Sequence, residues 1–353
     1  MTYDRFTRRT VRFPWANTIL LVLLIAQLVT GFVGLISGSE NFRWVLWLHG
    51  IGGYAVAVIL IWKGAIIFEA LKRRRRPPLP RSGFIVLTLL VLAILATGWI
   101  WIIAGRTYLS GFSLMTVHAI LAVVLPGLLV WHTLYMRFVF RIPSAVNRRA
   151  FLRLMGSSLG GLLLWRFAEQ AADDLDLPGS KRRFTGSYET GSFTGVFPPV
   201  TWLFDNPPPV DIQHWRLVIE GLVEQPLELT YAQLESLPHD QATATLDCTG
   251  GWYSTQAWQG IRVARLLDRA GVKADARSVT FEAVSGYGRR FSVEQARSCV
   301  LATQVAGQPL SHAHGFPLRL VAVDHRGFDW VKWVSRIRVN ESSEIWQPPV
   351  PLQ

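Results

Sequence analysis

The stretch ATATLDCTGGWYS, residues 242–254, decides the fold of the C-terminal half. Its first seven residues read as an apolar strand ending on Cys248, with Thr249, Gly250 and Gly251 directly after it. A thiol is thereby left at a strand tip, beside backbone that tolerates close approach. Taken alone, such a cysteine is most often a small buried hydrophobe.

The flanking sequence has the same short-element grammar. WRLVIEGLV (215–223) alternates as a half-buried strand, and Thr230 with Gln233 gives a capping-box start to a short helix. IRVARLLDRAG (261–271) reads as a helix stopped by Gly271, and SVTFEAV (278–284), FPLRLVAV (316–323) and WVSRIRV (333–339) read as strands. The expectation is a mixed α+β domain over 211–353. Residues 173–210, rich in glycine and proline, are expected to wrap over it as an irregular linker.

Three ordered blocks, LDCTGGWYSTQAWQGIRVARLL, SGYGRRFSVEQA and AGQPLSHAHGFPLRLVAVDHRGFDWVKWVSRIRV, resemble the molybdopterin domain of the sulfite oxidase family, which includes the bacterial methionine sulfoxide reductase catalytic subunit. The resemblance implies that the Cys248 thiolate binds molybdenum, a soft ligand for a metal that changes oxidation state. It implies that His314 and Arg319 hold the pterin and its phosphate, and that Trp330, Val331 and Lys332 offer backbone amides and an ammonium to the same anion. Tyr287 falls at the position of an active-site tyrosine, and Ser285 of the same SGYG turn is assigned to the cofactor. Where sulfite oxidases carry an arginine, this chain has Gly251-Trp252-Tyr253, which points away from an anionic substrate toward an organic sulfoxide.

The N-terminal half is of another kind. The 353-residue chain has a positive mean hydropathy, +0.27, and its apolarity is concentrated before residue 145. Four runs there, 15–37, 44–70, 83–104 and 113–136, are long enough to cross a hydrocarbon core of about 30 Å. The net charge of +12 sits before the first run, between the second and third, and after the fourth, so it reports a cytoplasmic N-terminus rather than a nucleic-acid partner. Two cysteines, Cys248 and Cys299, exclude a disulfide scaffold and a cysteine-based zinc or iron–sulfur site.

His49, His118 and His132 lie inside these runs, where an ionisable side chain is a functional hypothesis. His49 and His118 each fall about five residues into runs of the same direction, so both lie in the outer leaflet and suit the two axial positions of one haem iron. His132 follows His118 by fourteen residues, on nearly the same face and about 21 Å further along. Residues 10–140 thus resemble the membrane four-helix b-type cytochromes, except that Lys63 stands where a fourth histidine would be. Three alternatives follow for the inner position: a second haem on Lys63 and His132, Lys63 paired with a haem propionate, or a quinone site. A lysine that only snorkels to the interface is a fourth.

Four crossings over 1–145 would leave the chain in the cytoplasm, so an extracytoplasmic catalytic domain requires one more. NRRAFLRLMGSSLGGLLLW (147–165) reads as an internal twin-arginine signal, retained as a fifth membrane helix over 146–172. The alternative is an interfacial helix flanked by positive-inside arginines, with the catalytic domain in the cytoplasm. The expected fold is a membrane all-α four-helix bundle plus a transmembrane anchor helix, then a soluble α+β molybdopterin domain. The expected protein is an enzyme of the bacterial inner membrane that passes electrons between quinone, haem b and a small periplasmic substrate, reducing a sulfoxide-like compound. Oxidation of sulfite or a similar donor, and a non-catalytic electron-transfer subunit, are the alternatives. Oligomeric state is not readable.

Overall fold

The computed structural model describes residues 14–72, 78–135, 148–202 and 205–351. The basic residues at 5–12, 73–76 and 137–141, on which the orientation reading rests, lie outside them, as does Asn147. The chain divides into two compact units, one of Met1–Gly34 and Asn41–Phe184, the other of Leu35–Glu40 and Thr185–Gln353.

The first unit contains five long helices: α1 (Pro14–Ile36), α2 (Arg43–Lys72), α3 (Pro78–Ala104), α4 (Leu114–Tyr135) and α5 (Arg148–Asp174). A two-residue ribbon, β1 (Tyr108–Leu109) with β2 (Phe112–Ser113), joins α3 to α4. Four segments, Trp15–Ile36, Glu40–Phe68, Ile85–Ala104 and Leu114–Leu134, are long and apolar enough to cross a membrane, close to the four runs in the sequence. The helices interlock through Ala16, Ile19 and Leu23 of α1, Ala55, Val56 and Ile59 of α2, Val91 and Leu125. Such packing suits an apolar solvent, where close van der Waals contact is what distinguishes helix from lipid.

The segment read as an anchor is a continuous 27-residue helix, but it is not among the four candidate spans. Arg148, Arg149, Arg153 and Arg166, then Glu169, Asp173 and Asp174, make it too polar. It packs against α2. A Cβ on Gly161 would meet the Ile51 carbonyl at 2.7 Å and the Ala55 nitrogen at 2.8 Å, so the glycine permits a backbone crossing no other residue would allow.

The second unit holds two sheets around one core. β7 (Trp252–Arg262) is the spine of the first: β6 (Asp240–Cys248) pairs along it, β3 (Tyr188–Glu189) adds in parallel at its start, and β10 (Val300–Val305) at its end, carrying β11 (Gln308–Pro309) and β12 (Arg319–Val321). The second has the order β5 (Leu227–Thr230), β4 (Arg216–Gly221), β13 (Val334–Asn340), β8 (Ser278–Ala283) and β9 (Gly288–Ser292), with β13 and β4 parallel. Three short helices, α6 (Tyr231–Glu235), α7 (Val263–Ala270) and α8 (Val293–Ser298), connect the strands. Trp258, Ile261, Leu301, Phe281, Ile337 and Trp333 lie in the shared core.

Local chemistry fixes the elements that were read correctly. Thr230 and Gln233 form the reciprocal capping box of α6, and Gly271 closes α7 in the left-handed conformation at φ 68°. One helix reading and one strand reading need correction. Ile261 and Arg262 finish β7 rather than begin a helix, and FPLRLVAV supplies only the three residues of β12. β7 was hidden because two of its inward positions are polar: Ser254 and Gln256 are fully buried, with Gln256 donating to the Gly191 carbonyl at 2.7 Å and to Ser254 at 2.8 Å.

Candidate active site around Cys248

Cys248 is the last residue of β6, and the turn to β7 folds back so that Gly250 donates its N–H to the sulfur at 3.4 Å. Gly251 carries φ 85°, the left-handed backbone the sharp reversal needs. Burial pushes the Cys248 thiol up, against the opposing pull of the Gly250 N–H and the guanidinium groups of Arg326 and Arg319.

Behind the sulfur stands a buried ion pair. Asp247 and Arg326 are 2% and 3% exposed, and Arg326 donates to Asp247 at 2.7 Å and to the Cys248 carbonyl at 3.3 Å. Thr185 and Ser187 each donate a further hydroxyl to the Asp247 carboxylate at 2.7 Å. A buried carboxylate with three donors is satisfied, so the pair stiffens the strand end on which the thiol sits.

Two other cations are treated differently. Arg319, on β12, and Lys332 are 5% and 7% exposed, yet among the described residues neither forms an ion pair. Arg319 donates to the His314 carbonyl at 2.8 Å, Lys332 to the Ala313 carbonyl at 3.0 Å, and the Arg319 Nε is buried without a partner. Burial and the nearby Arg319 charge bring Lys332 down to about 7, and burial brings Arg319 to about 10. Gly315, at φ 110°, passes between them: a Cβ there would lie 3.1 Å from Lys332 Cβ and 3.2 Å from Arg319 Cβ. Buried cations satisfied only by carbonyls are costly without an anion, so this cradle fits a phosphate-bearing cofactor. The orphaned Nε1 of Trp330, whose ring contacts Trp258 and lies under Arg319, adds a donor of the same kind.

The other expected site residues are placed as follows. Val331 is fully buried and its N–H is bonded to the Asp329 carbonyl at 3.1 Å. His314 holds both ring nitrogens in contacts, with the Phe197 carbonyl at 2.9 Å and Ser311 Oγ at 2.9 Å, and packs on the Phe197 ring. Tyr287 donates its hydroxyl to the Phe328 carbonyl at 2.5 Å, and burial raises its hydroxyl above the ordinary range. Ser285 Oγ accepts from the Tyr287 N–H. Trp252 is 4% exposed and packs on Phe197 in the core, so it is not free to line a substrate cleft; Tyr253 beside it is half-buried.

Sequence reasoning missed Asp247, Arg326, Thr185 and Ser187, whose partners are up to 79 residues apart. It also missed Trp202 Nε1 and Asp205 Oδ1, buried without partners in the proline-rich segment.

In the helical unit, the His49 and His118 ring centroids are 6.2 Å apart with planes at 81°. Two metal–nitrogen bonds of about 2 Å from opposite sides of one iron place imidazole centroids about 6 Å apart, so the pair fits a shared haem. Lys63 donates to Asn17 Oδ1 at 2.7 Å, and His132 is half-buried within Coulombic reach of Lys63.

The family model for an oxidoreductase molybdopterin-binding domain matches residues 205–346. The uncharacterized oxidoreductase YuiH of Bacillus subtilis (strain 168) is 30% identical over 154 residues, which cover 42% of this chain and 78% of that protein. The NADH nitrate reductase 2 of Phaseolus vulgaris is 30% identical over 169 residues, 38% of this chain but only 19% of that enzyme. The sulfane dehydrogenase SoxCD of Paracoccus pantotrophus, a solved structure, is 31% identical over 38% of this chain and 40% of its own, with a TM-score of 0.37. With a half-buried strand-end thiol, an anion cradle, the matched domain and the Bacillus subtilis oxidoreductase covered over 78% of its length, the chain belongs to the family of oxidoreductases with a molybdopterin-binding domain.

Proposed function

We propose that this molybdopterin oxidoreductase is membrane-anchored and passes electrons from quinol, through a haem b held by His49 and His118, to a molybdenum centre that reduces a small sulfoxide-like oxo compound on the extracytoplasmic side. The observation that carries the cofactor reading is the pair of buried cations, Arg319 and Lys332, which form no ion pair among the described residues and donate instead to backbone carbonyls. The relatives named nitrate reductases favour reduction as the direction.

Arg319 and Lys332 would hold the cofactor's phosphate and Trp330 would donate to its polar edge, with His314 fixing the turn that presents both cations. Cys248 would ligate the metal, which supplies the two-electron oxygen-atom chemistry when bound. Asp247 and Arg326 hold the sulfur's strand in place. Tyr287, with Ser285 bracing its turn, would orient substrate oxygen from the neighbouring loop.

At the inner position the Lys63 ammonium is already satisfied by Asn17, which favours a quinone site built from Asn17, Lys63 and His132 over a second haem. A second haem on His132 and Lys63 would require Lys63 to leave Asn17 and lose its proton. Helix α5, with Arg148 and Arg149 at its start, would be the twin-arginine element by which the folded domain is exported.

The test is metal and haem analysis of the purified full chain, followed by haem spectra on adding methionine sulfoxide or sulfite. One haem and one molybdenum per chain, with the reduced haem oxidised by the sulfoxide, are expected. Haem reduction by sulfite would reverse the direction, and a molybdenum-free chain with full turnover would overturn the enzyme mechanism.

A further inference from the structure

The two helices that precede the histidine-bearing ones carry the same short text. AQLVTG (26–31) on α1 and AILATG (93–98) on α3 share Ala, Leu, Thr and Gly in register, 67 residues apart, while His49 and His118 are 69 apart. The geometry repeats as well. Thr30 Oγ1 donates to the Ala26 carbonyl at 2.7 Å and lies 3.1 Å from His49 Nδ1. Thr97 Oγ1 donates to the Ala93 carbonyl at 2.9 Å and lies 3.2 Å from His118 Nδ1. The backbone of the next residue, Gln27 or Ile94, contacts the same ring in each half, the Ile94 carbonyl at 3.0 Å from His118 Nδ1.

The proton assignments follow from donor counting. A carbonyl can only accept, so His118 Nδ1, 3.0 Å from the Ile94 oxygen, is the donor, and the Gln27 backbone hydrogen bond stands in the same relation to His49. With Nδ1 donating, each threonine oxygen accepts from the ring and keeps its own proton for the carbonyl one turn back. Nδ1 must therefore carry the ring proton in both histidines, and both lone pairs are on Nε2.

We infer that the bundle is a duplicated helix pair, α1–α2 and α3–α4, in which Thr30 and Thr97 are positioning residues that fix the ligating tautomer of His49 and His118 for one iron. This rests on the haem reading above. Hydrogen bonds of this kind orient a ligating imidazole and make it a stronger donor. The adjacent glycines let the rings approach, though unequally. A Cβ on Gly31 would meet His49 Cε1 at 2.9 Å, whereas one on Gly98 would lie at an ordinary 3.6 Å from His118 Cε1.

The test uses the full chain in detergent with four variants, Thr30→Val, Thr97→Val, Gly31→Ala and Gly98→Ala, read by haem per chain, haem midpoint potential and low-temperature electron paramagnetic resonance. The wild type should give the single low-field feature of near-perpendicular imidazole planes. Either valine variant should retain haem with a more positive potential and an affinity lower by about 10- to 100-fold. Thr30→Ser and Thr97→Ser should restore both. Gly31→Ala should lose haem while Gly98→Ala keeps it. Wild-type potential and spectrum in both valine variants would overturn the tautomer assignment while leaving the haem intact, and equal behaviour of the two alanine variants would overturn the unequal approach of the two rings. A haem-free wild type, or haem retained at full stoichiometry in His49→Ala, would sink the haem reading and this inference together.

Discussion

The helical unit and the sheet unit both bring candidate metal ligands into an apolar interior, and they support them in opposite ways. Around His49 and His118 the support is local and duplicated: a threonine, a carbonyl and a glycine on the neighbouring helix, twice over. Around Cys248 it is assembled once, from Gly250 in the adjoining turn, Thr185 and Ser187 near the unit's start, Arg319 on β12 and Arg326 beyond it. In the first case the polar atoms are satisfied from within the helices. In the second, Arg319 and Lys332 are buried with carbonyl partners and form no ion pair among the described residues. Substitutions in the bundle should therefore release a cofactor and leave the fold, while those in the sheet unit should separate into residues needed for chemistry and residues needed for folding.

The sharpest separation is expected at Cys248. Cys248→Ser should abolish turnover above background with an unchanged melting temperature, because the side chain is half-buried at a strand end and nearly isosteric; a folded variant with full activity would break the comparison. Arg326→Met should instead fail as a fold, costing about 3–5 kcal/mol in denaturant titrations because it strands the Asp247 charge at 2% exposure. The double variant Asp247→Leu, Arg326→Met should recover much of that loss, since apolar replacement of a whole buried pair is often tolerated.

Lys332 gives a smaller effect with a defined sign. Its folded value of about 7 lies below the unfolded value of about 10.4, so between those limits the unfolded chain binds a proton that the folded chain does not. Stability of the cofactor-free protein should therefore rise with pH across this window, with the full charging penalty present below it. Lys332→Met should flatten that slope in denaturation midpoints compared at pH about 6 and about 9. Smallest is Thr230→Ala, which removes the capping box of α6 at the far edge of the second sheet and should cost about 1 kcal/mol with no change in cofactor content.

Legibility in the sequence followed range. The α6 cap, the α7 stop at Gly271 and the four apolar helices depend on neighbours within a turn or two, and each was readable. β7 was not, because Ser254 and Gln256 occupy inward positions and interrupt the apolar alternation that marks a strand. Cys248 stood out by its strand and glycines, and the resemblance supplied Arg319 and Lys332. Asp247 and Arg326 carry no signal, since an aspartate before a cysteine and an arginine in a loop look like solvated charges until the fold pairs them. The Thr-Gly repeat was present as text, but its meaning required the two histidines to be seen against it.

The three donors to Asp247 also bear on where this enzyme can be cut. The family match begins at residue 205, but Thr185 and Ser187 lie about twenty residues upstream, and the Phe197 carbonyl that holds His314 also precedes the match. A fragment trimmed to the matched block would strip two hydroxyl donors from the carboxylate next to Cys248. The portable module is thus longer than the recognisable one, and any graft of this catalytic domain onto another electron donor should carry its chain from residue 185.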